Sequence, residues 1–324
     1  MDISSSPRSL HQKAVNPHQL APPSWTSRGE AWWLILSLVG KLKENFPSDD
    51  QPPPPEPESD RHHFGPGHFD PLEALSRDFA SLPGVFRGGM GSVQLIRYHS
   101  SPVGPYDELL IIPGDFSLPA KLKGGSLPRI TRIYVSTLQS VLNGRYHWNI
   151  PKHLAHFEFT PGPSGSITIS VYALQSYTFT KTSTSESARL DPIFMPTPFF
   201  STIIHPWGLK GVQLPIRLNA LPGVKTTLFQ PPLKEGDKEI GMVSTKYWKK
   251  TKIGLSGRVK LCKVEGGLNA SNGQKRFADG KGFPDFKPYR ICIHWKNLVL
   301  NVPEALNLNL PSLETTHNEK TSTT

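Results

Sequence analysis

From Gly88 onward the chain is a succession of short runs rich in β-branched and aromatic residues, cut by Gly and Pro, and few segments carry a long helical period. Such runs fit a pleated, half-buried surface and predict strands. They fall at Val93–Tyr98, Glu108–Ile112, Ile130–Val135, Ser166–Tyr172, Phe199–Ile204, Thr226–Phe229, Lys252–Val264 and Tyr289–Trp295. Pro102 to Pro105, holding Gly104, supplies a turn that makes the first two a hairpin. Ser166–Tyr172 alternates polar and apolar residues, the mark of a strand with one wet face. The pattern predicts a mainly β (α+β) fold: a mostly antiparallel β-barrel or sandwich with a few short helices.

Upstream, Ala31-Trp32-Trp33-Leu34-Ile35-Leu36 is a continuous apolar run, as expected of a strand buried on both faces. Extended to Val39 it remains far shorter than the ~20 residues that span a bilayer. It also starts late and follows Arg28 and Glu30, unlike a signal peptide. Residues 1–20 and 311–324 are polar and aperiodic and read as disordered tails. Residues 41–68, with Pro52 to Pro55 and Pro57, read as a proline-rich insert. Phe69–Phe79 fits one short helix. The organisation is a single domain over 21–310, with no internal repeat.

Two cysteines, Cys262 and Cys292, make no disulfide framework and point to a reduced, cytoplasmic setting, where the sequon at Asn269 has no consequence. The net charge of +10 is concentrated: 13 Lys/Arg face three acids between Gly241 and Leu300. With no nucleic-acid motif beside it, this window reads as a solvated face rather than a binding patch. His62, His63 and His68 in a Gly/Pro loop, and His147, His153 and His156, lack partner ligands at metal-like spacing, so no metal is expected.

The stretch from Asn143 to Ala155 is unlike a surface loop. Trp148, Ile150, Leu154 and Ala155 flank one lysine, Lys152, and Pro151 restricts the backbone before it. A lone lysine is ordinarily solvated. One held among apolar groups is expected to lose charge, its pKa falling from about 10.4 towards neutrality. The neutral amine is a nucleophile that forms imines with carbonyls. Glu108 opens an apolar strand, where a carboxylate either sits at a rim or points into a cavity. Inside a cavity it could orient a lysine or move protons.

Together, Gly104-x-Tyr106-x-Glu108 and Gly144-Arg145-x₅-Pro151-Lys152-x-Leu154 resemble the acetoacetate decarboxylase family, in particular its fungal relatives. Arg129–Ser136, Pro22–Trp25 and Phe86–Gly89 share the likeness, which covers about Trp25 to Phe159. The resemblance implies a fold of that family, with Lys152 as the Schiff-base lysine and Glu108 as its active-site glutamate. It also implies substrate-binding roles for Arg28, His153 and Tyr106, no cofactor, and a homo-oligomer; Trp148 is a further substrate-binding candidate by its bulk.

Two positions depart from the pattern. His153 stands where the family has a second lysine, and neither Val93 nor Gln94 supplies a second glutamate. These changes leave the imine chemistry and alter the substrate. If Trp148 and Trp32 or Trp33 line the pocket, a larger substrate would fit; otherwise they are core. The expected activity is a Schiff-base decarboxylase acting on a small-molecule β-keto acid, of the kind met in fungal secondary metabolism. The alternatives are an imine-dependent aldolase, dehydratase or cyclase on a polyketide-like intermediate, or a non-catalytic ligand-binding protein. Neither nucleic acid nor membrane is an expected partner.

Overall fold

The computed structural model describes residues 12–13, 20–37, 69–75, 86–118, 120–122, 124–181, 188–207, 212–270 and 273–310. The expected tails, the proline-rich insert and His62, His63 and His68 lie outside these residues, apart from short pieces at 12–13 and 20.

Nine strands carry the architecture. They are β1 (Trp25–Ser37), β2 (Gly91–Ser100), β3 (Tyr106–Ile112), β4 (Arg132–Val135) and β5 (Lys152–Pro161), then β6 (Ile167–Lys181), β7 (Phe200–Pro206), β8 (Gly254–Gly266) and β9 (Ile291–Val302). Each pairs with the next in sequence, and β9 returns to β1. All these ladders are antiparallel except β4–β5. A parallel neighbour needs a crossover, which is made by the helix Leu138–Trp148. The curved sheet is sandwich-like, and its inner side chains meet across it. Trp32 of β1 lies 6.0 Å from Phe159 of β5.

At β1 both faces of the sheet are buried, and side chains alternate between them along the strand. On β1, Trp32, Leu34 and Leu36 join the inner core, while Ala31, Trp33 and Ile35 join a second core on the outer face. This explains the unbroken apolar run. The β2–β3 hairpin turns as expected, with Gly104 at φ +86° and its N–H donating to Ser101 O at 3.0 Å.

The expected 69–79 helix is described only as Pro71–Ala74 (α1). Asp70 caps it by accepting from Leu72 N at 2.9 Å, and Pro71 stands in its first turn. The longer helix, Leu138–Trp148 (α2), was not expected. It is buried nearly all round, so it shows no apolar stripe against a polar face. Its ends are nonetheless marked. Thr137 caps the start, and Asn149 ends it in the left-handed conformation at φ 53°, two residues before Pro151. The basic window lies on strands and turns with Lys250, Lys252, Arg258 and Lys263 exposed. No helix among the described residues is long and apolar enough to cross a membrane.

Candidate active site

Part of the outer face of β1–β5 is covered. Helix α2 and the segments 218–230 and 253–255 cover it, leaving a cavity of about 310 Å³. Ile96, Leu110, Ile133, Ile150, Leu228 and Leu255 supply much of its apolar wall, with Trp25, Trp33 and Trp148. Among the described lining residues only four carry charge: Glu108, Lys152, Asp115 and Lys225.

Lys152 opens β5 and points towards α2. Ser140 and Gly144 are four residues apart on that helix and therefore share one face. The aliphatic stem of Lys152 packs over Gly144, where a Cβ would stand 2.5 Å from Lys152 Cδ and 2.7 Å from Cε. Its Nζ then donates to Ser140 Oγ at 2.9 Å and to Glu108 Oε2 at 2.8 Å. The ammonium also lies 5.1 Å from the centre of the Tyr106 ring. Tyr98 donates to the other Glu108 oxygen at 3.4 Å. Lys152 and Glu108 are only 4% and 5% exposed, so the pair is shielded from bulk water.

The electrostatics correct one expectation. Burial is the largest influence on Lys152 and favours the neutral amine, as the apolar flanks suggested. The Glu108 carboxylate, with Tyr106, outweighs it and holds the ammonium above the ordinary lysine range. The resting site is thus an ion pair. Burial also raises the Tyr98 and Tyr106 phenols, with Glu108 adding to both, so each stays protonated and able to donate.

No family model matches the chain, and no curated protein matches it. Among solved structures it is similar to an acetoacetate decarboxylase from Legionella pneumophila. The identity is 12%, the TM-score 0.46, and 94% of this chain and 92% of that one are covered. It is also similar to a second acetoacetate decarboxylase structure, at 10% identity and a TM-score of 0.44, covering 89% and 91%.

Of the residues singled out in the sequence, Lys152, Glu108, Tyr106 and Trp148 line one cavity. Trp148 packs edge-to-face on Trp25 at 5.0 Å and donates its Nε1–H to Pro303 O. His153 and Arg28 do not line it. His153 follows Lys152 on the strand and so faces the other way, 3.3 Å from Asp70 and near Tyr134. Burial, partly offset by Asp70, lowers its pKa to about 4. Arg28 follows the cavity-lining Ser27 and is exposed. Trp33 lines the cavity, whereas Trp32 stacks on His294 on the inner side of the sheet. His147 and His156 have separate surroundings, His147 against Tyr146 and Trp148, and His156 against Glu158 and Tyr172.

Ser140, Tyr98 and the Lys225–Asp115 pair escaped the sequence reading, and Gln94, noted there only as lacking a carboxylate, lines the cavity. Recognising α2 from its caps would have placed Ser140 one turn before Gly144. Lys225 binds Asp115 and Ser126, residues about 100 positions away, and nothing local announces that contact. Lys225 is 45% exposed, which places this second pair at the rim of the cavity.

Proposed function

We propose that the protein is a Schiff-base lyase in which Lys152 attacks the keto carbon of a carboxylated substrate such as a β-keto acid. The observation that carries this reading is the Lys152–Glu108 contact of 2.8 Å inside an enclosed, mostly apolar cavity. The resemblance of the two motifs points the same way. A surface ion pair would have no use for such enclosure.

The resting amine is protonated, so the pair must first pass its proton. In low dielectric the neutral pair, amine and carboxylic acid, is far closer in energy to the ion pair than in water. Glu108 accepts the proton as the carbonyl arrives, and the Lys152 nitrogen lone pair forms the C–N bond. A proton moves from nitrogen to the former carbonyl oxygen. Glu108 then returns its proton to that hydroxyl, which leaves as water, and an iminium remains. For a β-keto acid the carbon–carboxylate bond breaks next. Its electrons flow into the iminium, carbon dioxide departs and an enamine forms. The again ionised Glu108 beside the substrate favours loss of the carboxylate charge. Protonation at carbon and hydrolysis release the ketone and free Lys152.

A second reading keeps the amine and changes the later steps, giving an aldolase, dehydratase or cyclase. The volume of about 310 Å³ and the three tryptophans favour a substrate larger than a four-carbon acid. Borohydride trapping with a panel of keto acids, followed by peptide mass analysis, tests both readings. The expected result is a reduced adduct on Lys152, and carbon dioxide release separates the two. Binding without any adduct would leave a non-catalytic ligand pocket.

A further inference from the structure

The cavity follows the β2–β3 hairpin along its length. Every second residue of β3 from Tyr106 to Ile112 lines it, and so does every second residue of β2 from Ser92 to Tyr98. The two rows face each other in register, Tyr98 to Tyr106, Ile96 to Glu108, Gln94 to Leu110 and Ser92 to Ile112. The ends of this trough differ. Lys152 and Glu108 lie near the Tyr98–Tyr106 end, where Trp25 and Trp148, both buried, pack edge-to-face. Past Ile112, at the opposite end, Asp115 meets Lys225, whose side chain is 45% exposed and reaches water. Between the two charged pairs the wall is mostly apolar, with Leu110, Ile112, Leu218 and Leu228. The polar residues there, Gln94 and Ser92, bond to each other at 3.0 Å.

We infer that the substrate is a keto acid with a linear alkyl tail, its reacting end at Lys152 and its tail running along the β2–β3 trough to the mouth at Lys225. The inference rests on the imine reading of Lys152 and names the substrate class for it. The amine sits at Glu108, and the strand from Glu108 to Ile112 spans about 13 Å, the reach of about ten bonds of an extended chain. Along that path a tail of methylenes gains from burial at each step, whereas a charged or unpaired polar group would lose its water and find no partner. The reacting end enters first, and the end of the tail stays nearest to solvent. A four-carbon keto acid would leave most of the trough unfilled.

Methyl ketones of increasing length, the products that decarboxylation of such acids would leave, provide the test: 2-butanone, 2-hexanone, 2-octanone and 2-undecanone. The readout is the concentration of each that gives half-maximal borohydride adduct on Lys152. That concentration is expected to fall roughly three-fold per added methylene through 2-undecanone, the scale of burying one CH₂ group. Ile112→Trp narrows the trough near its mouth. Its effect should grow with chain length, from about two-fold or less with 2-butanone to roughly ten-fold or more with 2-undecanone. Met90→Trp, at the same end, provides the same comparison if the first variant does not fold. A concentration that stops falling by 2-hexanone, or no chain-dependent loss in either variant, overturns the tail while leaving the lysine chemistry intact. Labelling by keto acids but by none of the ketones does the same. Absence of any adduct with the ketones and with the keto acids overturns the imine reading itself, and the tail with it.

Discussion

The side chain of Lys152 occupies the space that a Cβ on Gly144 would fill. That Cβ would approach Lys152 Cδ to 2.5 Å, closer than any real contact. The glycine is thus part of the seat of the amine, and the helix delivers Ser140 to its tip. Loss of a side chain at 144 is what lets a long, buried lysine lie flat and end beside Glu108.

Gly144→Ala tests that arrangement. Alanine is the better helix former by about 1 kcal/mol, so the variant should still fold. The displaced amine should form the borohydride adduct at least ~10-fold more slowly, as expected when a reacting group is misplaced by an ångström or so. Thermal melting together with adduct formation checks this. Adduct formation at the wild-type rate would show that Lys152 does not need the gap.

Glu108→Gln removes the charge that now outweighs burial at Lys152. With the wild-type pKa raised, the amine carries its proton through neutral pH. In the variant burial dominates, and the neutral amine should persist to lower pH. The pH profile of labelling by a carbonyl reagent should move to the acid side. Turnover should nevertheless fall by roughly 10²-fold or more, because the proton relay is lost. A profile that stays put would mean that the carboxylate does not control the lysine.

His153 predicts a loss of stability in acid. Its pKa of about 4 in the fold lies below its ordinary value of 6.5. Between those values the unfolded chain binds more protons, so stability rises with pH. The contribution is complete above pH 6.5 and is lost as the pH falls through 4, in total about 3 kcal/mol. Denaturant unfolding at pH 7 and pH 4.5 should show a fall about 2 kcal/mol smaller in His153→Gln than in the wild type. An equal fall in both would place the acid sensitivity elsewhere.

Arg145 and Glu73 form a fully buried ion pair at 2.7 Å, and Arg145 also donates to Val243 O and Lys234 O. This ties α2 to α1 and to the 233–243 segment. Burial raises the Glu73 pKa even with its partner present. Arg145→Met should therefore cost about 3–5 kcal/mol by stranding the carboxylate. Adding Glu73→Gln should recover part of it. The midpoint of denaturant unfolding measures both, and a single variant as stable as wild type would contradict the role.

Much of this protein was legible in its residues. Local patterning determined most of the strands, because alternation and β-branching act within a few neighbours, but it did not mark β5, whose Lys152–Pro161 mixes charged and apolar residues. It also determined the hairpin at Gly104 and the apolar setting of Lys152. What local pattern could not supply was facing. Lys152 and His153 are adjacent, yet one enters the cavity and the other the far side of the sheet, and Ser27 and Arg28 divide in the same way. A strand turns successive side chains to opposite faces, so only the register of β5 against β4, and of β1 against β2, decides which residue belongs to the site. The charge of Lys152 was decided in the same way. Its own flanks favour the neutral amine, and Glu108, 44 positions earlier, reverses this once the fold brings a carboxylate within 2.8 Å.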